Sequence, residues 1–284
     1  MTNAADITND VAVITGGASG FGLALAARCA RMGMTVVILD RDGARAASDA
    51  AALASTYAIE AVGMGVDVAD GAAVAQAAAV VADRFGRADL VVSNVGVQLF
   101  GAIERLTDDE WKWVLDVNVV GSARVARAFL PLLRRSARGR LAFTTSASVI
   151  APGSRLAAYQ ASKFAVWGLA ETLRLELADD GIGISVIFPS GMLSRHLETS
   201  EEAQPDHLHR AVAGDDDLAA MFESNPAMAA DVATPEDAAA RVVDALLADE
   251  PYIVTHGDLV DAVQARAEAL RDAADAARRP GVSG

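Results

Sequence analysis

Tyr159 and Lys163 stand four residues apart in the stretch SRLAAYQASKFAVWGLAETLRLEL, which has the spacing of a long helix. That interval brings a phenol and an ammonium onto one helix face. Such a pair is either an ordinary surface contact or a device for handling a proton. A free phenol, with a pKa of about 10, is a poor base at neutral pH. A fixed ammonium about 6 Å away, at an effective dielectric of about 20, favours phenolate by roughly 3 kcal/mol, or about two pKa units. The pair alone does not decide between the readings, so the elements around it must.

A second chemical signature lies near the start of the chain. VAVITGGASGFGLALAARCARMG reads as a strand, a glycine-rich turn and a helix. Gly16, Gly20 and Gly22 provide a tight turn and close backbone approach, and the helix behind them, opening at Ser19-Gly20-Phe21, offers its free N–H groups to a pyrophosphate. Glycine also ends strands for structural reasons, but here an acid stands at the matching distance. Asp40 ends the second strand, twenty residues after Gly20. A carboxylate there accepts hydrogen bonds from both adenosine ribose hydroxyls and repels a 2′-phosphate. Arg41 could meet such a phosphate, yet no Lys or Arg lies within residues 16–22 to assist it. The expectation is NAD rather than NADP.

The positioning elements follow from the pattern. VAVIT (11–15), TVVILD (35–40), AVGMGVDV (61–68), DLVVSN (89–94), RLAFTTS (140–146), GISVIFP (183–189) and YIVT (252–255) read as strands. They do not alternate, as expected of parallel strands buried on both faces. Helical patterns over 20–33, 43–57, 70–85, 112–136, 157–179 and 235–248 lie between them. This alternation predicts an α/β fold with a doubly wound parallel sheet. No linker or repeat splits residues 1–284, so one domain is expected. Residues 191–232 interrupt the alternation after the sixth strand, where ligands of open sheets bind, and are a candidate lid. From Gly257 a final helix and a PGVSG tail close the chain.

Composition narrows the partners. The net charge of −14 disfavours nucleic acid and anionic membranes, which need basic footprints. The single Cys29 allows no internal disulfide and reads as a small core residue in a reducing compartment. The polar start MTNAADITND lacks a signal-peptide pattern, and no apolar run is long enough to span a bilayer, so a cytoplasmic protein is expected. His207 and His209, with Glu201, Glu202 and Asp206, read as a solvated acidic segment before a metal cluster, and no metal is expected. Arg134, Arg135, Arg138 and Arg140 follow a helix, where cations suit the terminal carbonyls. Trp111 and Trp113 anchor a helix start, with Thr107 or Asp108 as its cap.

Taken in order, Thr15-Gly16-x-x-x-Gly20-x-Gly22, Asp67-Val68 at the third strand's end, SNVG over 93–96, Asn118 in DVNVVG, Ser146 thirteen residues before Tyr159, the Tyr159-x-x-x-Lys163 pair and Pro189 resemble the short-chain dehydrogenase/reductase family over roughly residues 8–190. The resemblance implies a Rossmann-type sheet of about seven strands with helices on both faces. It implies a cofactor site including Asn94, Gly96, Gly191 and Ser194, with Asp67 and Val68 at the adenine and Ser194 where the family often has a Thr for the nicotinamide carboxamide. It implies a catalytic set of Asn118, Ser146, Tyr159 and Lys163, in which Lys163 also binds the nicotinamide ribose and Asn118 positions a relay water. Homodimers or homotetramers through the helices carrying Asn118 and Tyr159 are implied as well. Two positions depart from the pattern. Val95 replaces an alanine, and Ser190 replaces the glycine after Pro189, with Gly191 one step later.

The expected activity is NAD-dependent interconversion of a secondary alcohol and a ketone, with Tyr159 exchanging the proton. Ser148 rivals Ser146 for the hydroxyl beside the reacting oxygen. Pocket candidates are Gln98, Leu99 and Phe100 after the fourth strand, Ser148, Val149 and Ile150 after the fifth, and Met192, Leu193 and His196 after the sixth. This apolar mix suits a hydrophobic substrate, and the tail pattern is similar to that of a family branch acting on bulky aryl alcohols. A nucleotide-sugar epimerase or dehydratase, which also uses Tyr-x-x-x-Lys, and a non-catalytic NAD(H)-sensing regulator are the alternatives.

Overall fold

The structure, a computed structural model, describes residues 7–208, 214–224 and 231–278. Seven strands form one wholly parallel sheet: β1 (Val11–Thr15), β2 (Thr35–Asp40), β3 (Ala61–Gly65), β4 (Leu90–Ser93), β5 (Arg140–Thr144), β6 (Gly183–Phe188) and β7 (Tyr252–Val254). Their spatial order is β3-β2-β1-β4-β5-β6-β7, with Ala12 of β1 paired to Val36 on one side and Leu90 on the other. The strand order reverses between β1 and β4, which opens a crevice beyond their carboxyl ends. Every residue of β1 is buried, which is why its sequence shows no polar alternation.

Helices cover both faces. On one lie α1 (Gly20–Arg31), α2 (Gly43–Tyr57) and α9 (Pro235–Leu247), packing Leu25, Cys29, Leu53, Val242 and Leu246 against the sheet. On the other lie α3 (Gly71–Phe85), α4 (Asp108–Leu115), α5 (Gly121–Leu133) and α6 (Ala157–Glu176). Burial pushes the Cys29 thiol up to about 12, the state of an inert core residue. The Arg134, Arg138 and Arg140 side chains pair with Asp180, Asp10 and Asp249, and Arg135 donates to the Gly86 carbonyl. Among the described residues, no helix is long and apolar enough to cross a membrane.

The helix expected over 112–136 is two helices joined by a π turn at Asp116–Val120. α4 begins at Asp108 because Thr107 and Glu110 form a reciprocal capping box. Its polar first turn carries no apolar period, so the pattern in sequence begins only at the tryptophans. Among its described residues, the 191–232 segment forms α7 (His196–Glu202) and α8 (Asp215–Ser224). Its ends meet where Met192 pairs with Ala233 in a parallel bridge. The final helix, α10 (Val260–Ala277), buries no residue, but its Arg266 donates to the Val149 carbonyl and lies 5.4 Å from the Phe164 ring centre.

At the α2–β3 contact the backbones come very close. A Cβ on Gly63 would fall 2.0 Å from the Ala46 carbonyl oxygen, so only backbone movement could admit one. Gly63→Ala is expected to destabilise the fold by about 3 kcal/mol or more, read as a lower midpoint in urea or as loss of soluble protein. A midpoint unchanged from wild type would show that α2 can move off the sheet freely.

Candidate active site

The strand ends at the crevice are laced together by side chains. Thr15 Oγ1 accepts from the backbone N–H groups of Asn94 (2.9 Å) and Val95 (3.2 Å). Asn94 donates through Nδ2 to the Thr15 carbonyl (3.2 Å), and its Oδ1 accepts from the Thr144 hydroxyl (3.1 Å). Beyond β1 the chain turns through Gly16 and Gly20, at φ of +63° and +47°. Gly22 must lack a side chain, since a Cβ there would lie 2.0 Å from the Gly16 carbonyl. α1 starts at Ser19 without a side-chain cap and without an acid in its first turn. By contrast α2, α3, α4 and α9 are capped by Asp42, Asp70, Thr107 and Thr234. The amides of α1 are thus left to an anion.

A cavity of about 1600 Å³ runs from this turn to the Tyr159 hydroxyl. Of the residues selected from the sequence for catalysis and cofactor binding, all but Asn118 line it. Asp40 stands at one end, its carboxylate accepting from the N–H groups of Ala18 (3.1 Å) and Asp42 (3.1 Å). Asp67 and Val68 lie on the loop just after β3, which stops at Gly65. The glycine cradle, the uncapped α1 and Asp40 fit a dinucleotide: phosphates at the amides and ribose at the carboxylate. Arg41 turns elsewhere, donating to the carbonyls of Glu202 (2.6 Å) and Ala203 (3.2 Å) at the end of α7.

At the other end stand Tyr159, Ser146 and Lys163. α6 delivers the first and third on one face, with Val166, Ala170 and Leu173 of the same helix fixed in the core. Lys163 Nζ donates to the Thr144 carbonyl (3.0 Å) and lies 5.6 Å from the centre of the Tyr159 ring. Gly96 makes room for it, since a Cβ there would lie 2.7 Å from Nζ. Tyr159 hydrogen-bonds Ser146, whose hydroxyl also accepts from Ser148 N–H (3.2 Å). Asn118 is buried behind the cavity in the π turn. Its Oδ1 accepts from Val97 N–H (2.8 Å), and its Nδ2 donates to the Val97 carbonyl (2.9 Å) and Ser162 Oγ (2.8 Å).

The electrostatics of the protein alone differ from the simple attraction of ammonium for phenolate. Burial pushes the Tyr159 phenol up to about 12, while its hydrogen bond with Ser146 pulls it down. Burial pulls Lys163 down to about 8. Loss of water around both groups outweighs their mutual attraction.

The substrate end is more apolar. Gln98, Phe100, Met192, Leu193 and His196 line it as expected, but Leu99, Ser148, Val149 and Ile150 do not. Ser146 caps a 3-10 turn over Ala147–Val149, which folds that segment inward, so Ser148 and Val149 are fully buried, as is Leu99. Ser148, with its hydroxyl buried and unpartnered, does not rival Ser146. Trp113, Leu156, Leu218 and Met221 line the pocket and were not singled out for it by sequence. Trp113 carried the only signal, as a helix anchor, while the others come from elements with no fixed sequence distance to Tyr159. His207 lines the cavity, His209 lies outside the described residues, and among those described no group of His, Cys, Asp or Glu is arranged to hold a metal ion.

Several contacts hold the 191–232 segment over the cavity. Gln98 N–H donates to Ser200 Oγ (3.1 Å), Arg105 pairs with Asp217 of α8 (2.7 Å), and Arg41 covers the carboxyl end of α7. At its base the His256 ring bridges Thr255 Oγ1 (2.9 Å) and the Gly191 carbonyl (2.7 Å).

A doubly wound parallel sheet with a glycine turn, an acid closing β2 and a buried Tyr–Lys pair marks a nicotinamide-dependent oxidoreductase. The family model described as short chain dehydrogenase matches residues 10–205, and the chain belongs to that family. It is similar to the short-chain reductase protein NovJ of Streptomyces niveus, at 32% identity over 89% of this chain and 95% of the relative. It is 37% identical to a C alpha-dehydrogenase of Sphingobium, over 69% of this chain and 64% of that one. A short chain dehydrogenase/reductase of Burkholderia phymatum, solved in complex with NAD, superposes with a TM-score of 0.82 at 29% identity, covering 97% of this chain and 98% of that one.

The lysine gives a stability prediction. Its folded pKa of about 8 lies below the ordinary lysine value of 10.5, so the unfolded chain holds more protons between those values. Stability therefore rises with pH across that window, and below it the penalty of a buried ammonium is fully present. Lys163→Met removes the penalty but leaves the Thr144 carbonyl unpaired, for an expected net gain of about 2 kcal/mol at pH 7. Urea unfolding at a series of pH values tests this, and equal or lower stability of the variant at pH 7 would contradict it.

Proposed function

We propose that this chain is an NAD-preferring oxidoreductase that interconverts a secondary alcohol and a ketone on a hydrophobic substrate, with aryl alcohols the first class to try. One observation carries the reading: Tyr159, hydrogen-bonded to Ser146 and beside Lys163, faces the apolar end of a cavity whose other end holds the glycine turn and Asp40. When bound, the nicotinamide accepts or donates the hydride. Tyr159 removes the hydroxyl proton of the alcohol, or returns it to the ketone oxygen. Ser146 donates to the reacting oxygen and stabilises its developing charge. Lys163, anchored on the Thr144 carbonyl, keeps a cation beside the phenol and binds the nicotinamide ribose. Asn118 steadies the Val97 loop and Ser162 on α6, and we assign it the placing of a water that relays protons to Lys163.

Asp40 supports the NAD preference by opposing a 2′-phosphate, and Arg41 is already engaged with α7. The NAD-bound Burkholderia structure agrees with this, and the name of the Sphingobium relative agrees with alcohol oxidation. We assign residues 191–232 the role of a lid. A groove between α5 and α6, lined by Ala126, Leu130, Leu169 and Leu173, supports a homodimer or homotetramer through these helices. Cytoplasmic location belongs to the same reading and rests on the single buried thiol.

Tyr159→Phe is expected to lower turnover by about a thousandfold or more while reduced nicotinamide still binds, as read by its fluorescence. Near wild-type turnover would sink the mechanism. With aryl secondary alcohols, NAD should surpass NADP in kcat/KM by at least about tenfold, or ~1.4 kcal/mol. Equal efficiency would overturn the assignment of Asp40.

A further inference from the structure

Three aspartates open α8, and only one of them is buried: Asp215 and Asp216 are exposed, while the Asp217 side chain is 11% exposed. Its carboxylate is met from two directions. Arg105, in the loop after β4, approaches Oδ1 at 2.7 Å, and Arg155, in the loop after β5, at 3.7 Å. The two loops are themselves tied, since Gly101 N–H donates to the Arg155 carbonyl (2.9 Å). Arg155 holds φ at +65°, a left-handed conformation that residues other than glycine rarely adopt. Three separate segments thus converge on one carboxylate, one of them at a backbone geometry that costs energy. At the far end of α8, Ser154 N–H donates to Ser224 Oγ (2.8 Å), and the Ser154 hydroxyl donates to the Ala220 carbonyl (2.9 Å).

This junction borders the cavity. Arg155 directly precedes Leu156, which lines the cavity, in the segment that leads into α6 and Tyr159. On α8, Leu218 and Met221 stand one turn apart, so they share a helix face, and both line the cavity. Met221 belongs to the apolar layer that includes Tyr159, and Leu218 packs against that layer. α8 lies outside the strand–helix alternation, so side-chain contacts rather than sheet pairing set its place. Hydrogen bonds between guanidinium and carboxylate are the stronger kind for that purpose. The Arg105 and Arg155 side chains are 60% and 38% exposed, so water can solvate both if the carboxylate is lost. Breaking the junction therefore leaves no charge buried and unpaired, and what it removes is the seating of α8.

We propose that Asp217 is a positioning residue for substrate specificity. By drawing Arg105 and Arg155 onto the first turn of α8, it sets the wall formed by Leu218 and Met221 against the apolar part of the substrate. Asp217 itself does not line the cavity, so it acts only through that wall. The inference rests on the alcohol–ketone reading of the site and adds to it the element that recognises the substrate's apolar reach. Contacts to a wall remote from the reacting carbon hold substrate and transition state alike, so their loss raises KM and spares kcat.

Methyl phenyl carbinol and its biphenyl analogue carry the same reacting centre and differ in apolar reach. Their oxidation with NAD is compared in wild type, Asp217→Asn, Asp217→Glu, Arg105→Gln, Leu218→Ala and the Asp217→Asn, Leu218→Ala double variant. Asp217→Asn, which keeps the shape and loses the charge, is expected to raise KM for the biphenyl alcohol about tenfold. Its kcat, its KM for NAD and its KM for the phenyl alcohol should stay at wild-type values. Arg105→Gln removes one partner at an exposed position and should give a smaller rise in the same direction. Asp217→Glu keeps the charge and should return part of the loss. Leu218→Ala should raise the same KM, and the double variant should fall short of the product of the two single effects, because both act through one wall. If Asp217→Asn does not fold, Arg105→Gln decides. An unchanged KM in both charge-removing variants, equal losses on the two alcohols, or fully multiplicative effects in the double variant would each overturn the proposal and leave the alcohol–ketone reading intact. A wild-type protein that binds reduced nicotinamide but oxidises neither alcohol would instead bring down both.

Discussion

Burying an ammonium beside a phenol is the constraint on which this architecture turns. Lys163 is only 3% exposed, and its Nζ donates to the Thr144 carbonyl. A cation in such a place opposes folding unless the scaffold holds it there. Three features do so: the core-facing residues of α6, the missing side chain at Gly96, and the Asn118 hydrogen bonds that fix Val97 and Ser162. The stability given up at this point is recovered in a close-packed sheet between two apolar layers, one of which includes Tyr159 itself.

The fold was legible because parallel strands buried on both faces leave runs such as VAVIT and TVVILD without alternation, and these were located to the residue. The site was legible where its spacing is local. The glycine turn, Asp40 and the Tyr159–Lys163 interval are each set within one strand–turn–helix unit or one helix. Legibility failed where long-range contacts choose a direction. Whether Leu99 or Gln98 faces the cavity depends on how the loop after β4 is held by Asn118 and Ser200, from two other elements. The inward fold of Ser148 follows from the Ser146 cap, which no periodicity announces.

Arg41 illustrates the same limit from the side of charge. Next to an acid placed to meet a ribose, a guanidinium reads naturally as a phosphate receptor. Its actual partners are two carbonyls at the end of α7, more than a hundred residues away in sequence. The orphan carbonyls of a helix end attract a cation, and α7 brings its own close to β2. One side chain thereby joins the Asp40 end of the cavity to the helix that carries His196 beside Tyr159.

The two departures from the family pattern have local compensations that also bear on residues 191–232. Val95 keeps its N–H on Thr15 Oγ1, so the bulkier side chain leaves the strand-end lacing in place, while its Cγ2 lies 3.2 Å from where a Cβ of Gly16 would stand. Ser190 N–H donates to Thr255 Oγ1, which in turn donates to His256 Nδ1, and His256 Nε2–H reaches the Gly191 carbonyl. That direction of donation requires the neutral Nε2–H tautomer, assigned from the network of partners. The shifted glycine therefore does not loosen the turn after β6. The edge strand β7 instead supplies, through Thr255 and His256, the contacts that hold the first residues of the 191–232 segment. Next to that fixed base, Met192 pairs with Ala233 in a parallel bridge.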